Sequence, residues 1–329
     1  MIMKNIEFIC ALAFLVLIGA LALVGLPGNI LNLLIFMMIV ALTAQGWNML
    51  GGYGGLSSFG HAAFFGTGAY ATTILQTTFG INAWIGLFCG VVLGALVGAL
   101  IGFLSFRAGL KGSYFALITL AFAEVLRILA NSWEFTGGAA GMMVSLKNGF
   151  WDLQFSDRSY FLLILIVFVA LGLFLTRWLE RLAFGAYLIA LRENDQAAQA
   201  LGVDIFRVKM QAITLSAAVT ALAGSLYVQN FLFIDANVAY GSWISIEALF
   251  AAIVGGAGTI AGPLIGSVLL LGLGEITKSF SGGVAGIDLV VFGIVLVLCV
   301  AFAPNGIRGF VADLYRRRTN RPPTSTKIV

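Results

Sequence analysis

The 329-residue sequence holds one histidine, three cysteines, five prolines and only 10% charged residues. A soluble domain carries about 25% charged residues, so this chain cannot cover itself with a charged surface. Cys10, Cys89 and Cys299 stand singly in apolar segments, which gives neither a disulfide framework nor a metal site. With a lone histidine and no carboxylates paired closely in sequence, acid–base and nucleophilic catalysis lack their usual partners. No catalytic residue, metal or cofactor is expected. Two nucleotide-binding look-alikes fail as well. Gly272–Ser279 (GLGEITKS) resembles a phosphate-binding loop, but Thr277 replaces the glycine before the lysine and no soluble strand precedes it. Gly256–Ala261 (GAGTIA) fits a loose dinucleotide fingerprint, yet Pro263 follows in an apolar context.

What is abundant is apolar. Hydrophobic residues make up 60% of the chain and the mean hydropathy is +1.04. Apolar runs of ~20 residues recur, the length a helix needs to cross a bilayer, and the period-two alternation of a membrane barrel is absent. The fold class expected is an all-α polytopic membrane protein, built as one transmembrane domain over 1–329. About ten transmembrane segments are expected, some short or broken: 8–26, 30–50, 56–78, 82–106, 113–131, 158–178, 209–230, 244–257, 262–280 and 288–304. The first is long, a second span follows and no persuasive cleavage site stands out, so it reads as a membrane helix and not a signal peptide.

Basic residues set the orientation. Lys4, Arg107, Lys111, Arg177, Arg181, Arg192, Arg207, Lys209 and six residues between Arg308 and Lys327 fall on one side if ten spans are counted. Both termini are then cytoplasmic, as are the 179–208 loop and the basic 305–329 tail. The 132–157 segment, with Glu134, Asp152 and Asp157 against Lys147, is the external loop. The net charge of +4 is scattered through helix-flanking loops, a topology signal and no footprint for nucleic acid.

Within the spans, the stretch GGYGGLSSFGHAAFFGTGAY (51–70) gathers glycines, two serines and the only histidine. Gly51–Gly55 is expected to break the backbone, and Ser57, Ser58 and the residues up to His61 to start a helix. Irregular backbone at membrane depth needs protein or a water-filled cavity to satisfy it. Ser57, Ser58 and His61 are therefore translocation-path candidates, with the serines and backbone carbonyls ahead of His61, which reads as a hydrogen-bonded packing residue. Gly90, Gly94, Gly98 and Gly102 repeat every four residues, and Gly258, Gly262 and Gly266 do the same near Pro263. Such stripes let helices pack closely in lipid, within the subunit or between two permease subunits. Glu124 with Arg127, and Glu275 with Lys278, have the spacing of neutralised pairs. Glu247 lacks a local partner and joins the path candidates; Asp288 reads as an outer-boundary residue.

The most informative polar stretch is RENDQAAQALGVDIFRVKM (192–210). Asn194 or Glu193 can cap a helix, Asp195 favours its N-terminal dipole, and Gly202 followed by Val203 reads as its stop. The product is a helix of about two turns, too short to be stable alone in water. It either docks into a partner's groove or lies on the membrane surface. The spacing Gln196-Ala197-Ala198-x-x-x-Gly202 resembles the coupling loop of bacterial ABC importer permeases, with Gln196 where the motif's first Glu stands. Together with GYGGLSSFGHAAFFGTGAY and GGAGTIAGPLIGS (255–267), residues 192–227 are similar to the branched-chain amino acid permease family, specifically its LivM-type subunit. The resemblance covers nearly the whole chain.

The resemblance implies an ATP-driven importer in the bacterial cytoplasmic (inner) membrane. Its partners are two ABC ATPase subunits, a second, LivH-like permease, a periplasmic or lipid-anchored substrate-binding protein, and membrane lipid. Glu193–Val203 would form the ATPase-coupling helix, with Glu193, Asn194, Gln196, Ala197, Ala198, Leu201 and Gly202 at the contact. Family members for urea, short amides and other amino acids share these motifs. A carrier driven by an ion gradient is the competing function, for which Glu247 is the lone suitable carboxylate. A membrane scaffold without transport leaves the Gly/Ser/His cluster unexplained.

Overall fold

In the computed structural model, residues 2–280 and the helical residues Val290, Gly293, Ile294 and Val297 are described. The 288–304 span, Asp288, Cys299 and the 305–329 tail lie outside the described residues, apart from those helical positions.

Twelve α-helices follow one another among the described residues. Helix α1 (Ile2–Gly25) and α2 (Gly28–Trp47) are parted by Pro27, whose missing N–H costs nothing at a helix start. Helix α2 does not stop at Trp47 but widens into a π-helical turn, Asn48–Tyr53. Residues 54–60 are not helical, and α3 (His61–Thr77) begins at the histidine. Helix α4 (Ala83–Arg107) is capped by Asn82, which accepts from Trp84 N–H, and α5 (Gly112–Ser132) follows a short turn. Asp157 caps α6 (Arg158–Arg181), Asn194 caps α8 (Asp195–Ala200) directly after α7 (Ala183–Glu193), and Asp204 caps α9 (Ile205–Phe231). Each of these side chains accepts one of the backbone N–H groups that a helix start leaves without a partner. Then come α10 (Ala236–Ala239), α11 (Ser242–Gly255) and α12 (Gly262–Phe280).

Helix α9 is the hub, packed against α2, α3 and α4, while α2 also meets α6, α11 and α12, and α1 lies on α6. The first glycine stripe explains the closest of these packings. A methyl at Gly102 would lie 2.6 Å from Ile213 Cγ2 and one at Gly90 2.7 Å from Ser225 Oγ. At Gly94 and Gly98 it would overlap the Cβ atoms of Ala221 and Ala217. Four glycines on α4 thus face four positions of α9 with the same period, so this stripe serves packing within the subunit. The second stripe is different. Gly262 and Gly266 press α12 onto the end of α11, but Gly258 has φ +72° in the connecting loop and belongs to no helix face.

Among the described residues, seven stretches are long and apolar enough to cross a membrane, against the ten expected over the whole chain: Asn5–Gly25, Gly28–Tyr53, Ala83–Arg107, Gly112–Ser132, Arg158–Arg181, Ile205–Phe231 and Ala236–Gly255. The expected 56–78 span shortens because its first residues are non-helical, leaving α3 at 17 residues, about 25 Å. The 262–280 segment is helical as expected, but Glu275 and Lys278 dilute its apolar run.

The helices bring 52–55, 108–111, 182–204 and 256–261 to one end of the bundle. The 133–157 connection lies at the other end, where Met142–Met143 (β1) pairs antiparallel with Phe233–Ile234 (β2). Glu124 and Arg127 form their expected ion pair at 2.6 Å, and Arg127 also donates to Asn237 Oδ1 at 2.6 Å, tying α5 to α10.

Candidate functional site

The 192–210 stretch folds into a compact unit. Asn194 Oδ1 accepts from Ala197 N–H at 3.0 Å, which decides the cap between the two residues the sequence leaves open. Glu193 is the last residue of α7 and pairs with Arg192, so the expected 193–203 helix is cut to Asp195–Ala200. Its end is a paired Schellman closure: Gly202 N–H donates to Gln199 O at 2.9 Å and Val203 N–H to Ala198 O at 3.1 Å. Gly202 has φ +87°, a conformation that disfavours any residue with a Cβ. The helix presents Gln196, Ala197 and Gly202 outward, and Leu201 stands 86% exposed at its tip. Ala198, expected on that small surface, turns inward and is only 3% exposed.

Asp195 anchors this unit. Its Oδ2 meets Lys111 Nζ at 2.8 Å on the α4–α5 turn and Lys209 Nζ at 3.7 Å in the first turns of α9. The Lys111 hydrogen bond holds the Asp195 carboxyl below the ordinary carboxylate range, against the opposing effect of burial. The preceding residues reach further. Arg192 Nη1 donates to Gly52 O at 3.1 Å, a carbonyl of the π-helical turn. A Cβ at Gly55 would sit 2.7 Å from Arg192 Cγ, so glycine there lets the arginine stem lie on the backbone.

The same turn is stitched to the second glycine-rich break. Asn48 Nδ2 donates to Thr259 O at 2.9 Å and Asn48 Oδ1 accepts from Gly258 N–H at 2.7 Å. Glu7 on α1 accepts from Ala261 N–H at 3.2 Å, and Tyr53 O–H donates to Glu180 on α6 at 2.8 Å. Two discontinuities more than 200 residues apart and the loop carrying α8 therefore form one hydrogen-bonded assembly. Sequence reasoning passed over Asn48 altogether and used Arg192 only as a topology charge. A lone Asn in an apolar run is the one signal that marked Asn48.

Residues 56–61 run deeper. His61 Nε2 is 2.9 Å from Ser216 Oγ, which itself donates to Gly46 O at 2.7 Å. Ser216 lies roughly 16 Å along α9 from its start, at 1.5 Å per residue, so α3 begins well inside the bundle. Trp47 Nε1 donates to Ser58 O, Ser58 Oγ accepts from Gly60 N–H, Phe59 N–H donates to Thr119 Oγ1, and Ala62 N–H donates to Ser245 Oγ. Side chains from three other helices, Trp47 of α2, Thr119 of α5 and Ser245 of α11, thereby satisfy backbone at this break, as irregular backbone at membrane depth requires. Ser58 and His61 are wholly buried in this network, whereas Ser57 is exposed.

Glu247 lies one turn beyond Trp243 on α11, lining a narrow cleft with Phe36, Thr43, Phe65 and Tyr227. Its Oε2 is buried. No group of histidine, cysteine or carboxylate ligands that could hold a metal exists among the described residues.

Residues 29–300 match the family described as "Branched-chain amino acid transport system / permease component". The chain is 29% identical over 297 residues to the high-affinity branched-chain amino acid transport system permease protein LivM of Salmonella typhimurium, covering 82% of this chain and 68% of the relative. It is equally similar to LivM of Escherichia coli K12. The LivH permease of the same E. coli strain is 28% identical over 284 residues, 82% of this chain and 91% of that one. No solved structure matches the chain. The match spans most of the sequence, and the chain belongs to the branched-chain amino acid transport permease family.

Proposed function

We propose that this chain is one of two permease subunits of an ATP-driven importer for branched-chain amino acids. It forms half of the translocation path and takes its drive from ATPase subunits that dock on α8. The observation that carries this reading is the continuity from α8 to the helix breaks: Arg192 bonds Gly52, and Asn48 bonds the 256–261 loop. A push on the capped α8 unit has a short polar route to the two places where the bundle is least regular. Exposed Gln196, Ala197, Leu201 and Gly202 are the docking surface, while Asn194 and Ala198 hold its shape, and Glu193 lies at its edge.

In this reading both termini and α8 are cytoplasmic, the 133–157 connection faces outside, and the protein spans the bacterial inner membrane about ten times. A LivH-like permease, two ATPases and a periplasmic or lipid-anchored binding protein complete the complex. ATP is hydrolysed on the partners, not on this chain. Of the path candidates, Glu247 lines a cleft, Ser57 faces outward, and Ser58 and His61 shape the wall from within.

The test is uptake of labelled leucine into vesicles holding the complete complex. Uptake should stop when the ATPase partner carries an inactivating substitution. Uptake that persists without ATP and collapses with the proton gradient would establish an ion-driven carrier instead. Ligand calorimetry on the partner binding protein separates branched-chain amino acids from urea and short amides.

A further inference from the structure

We infer that the cleft between α2, α3, α9 and α11 is the subsite that receives the ammonium group of the amino acid in transit, with Glu247 as its counter-charge. The inference rests on the transport reading above and names the chemistry of its path. Glu247 Oε2 is buried and has no hydrogen-bond partner among the described residues. A carboxylate taken out of water without a partner is costly, and a permanent local partner is not what this cleft supplies. Of the two hydroxyl residues lining the cleft, Thr43 spends its proton on Ile39 O at 2.9 Å and Tyr227 makes no hydrogen bond to Glu247 Oε2.

The remaining walls are apolar, shared between the aliphatic Ile39, Val40, Ile244 and Ala248 and four aromatic rings. Phe36 and Trp243 lie with ring centroids 6.4 Å apart at 31°, and Phe65 and Tyr227 meet edge-on at 5.5 Å. Ring faces and a carboxylate together select a cation over an anion or a neutral group, and they favour an organic ammonium that can touch apolar rings. The free space fits as well. About 10 Å³ is open to a water-sized sphere, room for about one water, which is the size of an ammonium head and not of a whole amino acid. The position agrees with a path, because Ser245, on the same helix as Glu247, holds the start of α3 through Ala62 N–H at 2.9 Å.

Two measurements test the subsite. In the detergent-purified complete complex, dicyclohexylcarbodiimide should label Glu247, read by peptide mass spectrometry. Methylammonium chloride or leucine should reduce that labelling about fivefold or more. Sodium chloride and 4-methyl-2-hydroxypentanoate, which lacks the ammonium, should not. Absent labelling, or equal protection by sodium or the hydroxy acid, overturns the assignment. In vesicles, Glu247→Gln should lower leucine uptake about 30-fold or more, with Glu247→Asp recovering part of it and substrate capture by the binding protein unchanged. Normal uptake by Glu247→Gln overturns the subsite and leaves the transporter reading intact. Methylammonium protection in a wild-type complex that imports nothing would show an ammonium site at Glu247 but overturn both its role in transit and the transport reading. Should Glu247→Gln fail to fold, the labelling of the wild-type complex still decides.

Discussion

Moving one methyl group across the α4–α9 interface isolates the packing that organises this bundle. In Gly94→Ala the new Cβ falls nearer than 3.0 Å to Ala221, whose own Cβ is fully buried. Carbon atoms settle at about 3.5–4.0 Å, so the helices must part by on the order of 1 Å or shift in register. Overpacking of this kind costs about 1–3 kcal/mol, and the better helix propensity of alanine returns roughly 0.5–1 kcal/mol. The net loss expected is about 1–2 kcal/mol. Ala221→Gly loses the same propensity and a buried methyl, together about 1–1.5 kcal/mol. The double variant Gly94→Ala/Ala221→Gly has the same composition as the wild type, with the methyl carried by the opposite helix. It should return to within about 0.5 kcal/mol of wild type, a coupling of about 2–3 kcal/mol in the double-mutant cycle. Unfolding by SDS titration in mixed micelles measures all four proteins. Gly274→Ala on α12, where nothing lies within 4 Å of the new Cβ, serves as the control and should be neutral or slightly stabilising. If the two single substitutions simply add, or Gly94→Ala behaves like Gly274→Ala, the α4–α9 contact is not what the glycines serve.

Other substitutions read the link between surface and breaks. Asn48→Ala strands Gly258 N–H and Thr259 O, at about 1–3 kcal/mol for each group left unpaired; it should lower the midpoint of the same titration and reduce uptake per ATP hydrolysed. Asn194→Ala removes the α8 cap at a cost of about 1 kcal/mol, enough to fray a six-residue helix, and should weaken ATPase pull-down while leaving membrane insertion unchanged. Gly202→Val forces a β-branched residue to φ +87° and should uncouple ATPase activity from uptake; normal values of both would remove α8 from the coupling role.

The sequence by itself determined the class, the main helices and the local punctuation. Apolar runs of bilayer length can only be helices when alternation is missing, and Asn194 and Gly202 specify the ends of α8 through bonds spanning a few residues. It also marked Gly51–Gly55 as a break, because four glycines in five residues cannot hold a regular helix against their backbone entropy; the helix start expected from Ser57 onward falls at His61. Tertiary structure alone decided what each feature meets. A glycine every fourth residue announces a close neighbour without naming it, and only the packed bundle shows that neighbour to be α9 of the same chain. The face of α8 was open for the same reason: the choice between Ala198 inward and Leu201 outward depends on the bundle beneath it. Asn48 with Gly258 and Arg192 with Gly52 are joined across 210 and 140 residues. Periodicity carries no trace of such pairs, since they arise when irregular backbone, withdrawn from water, takes whatever donors and acceptors the other helices bring within reach.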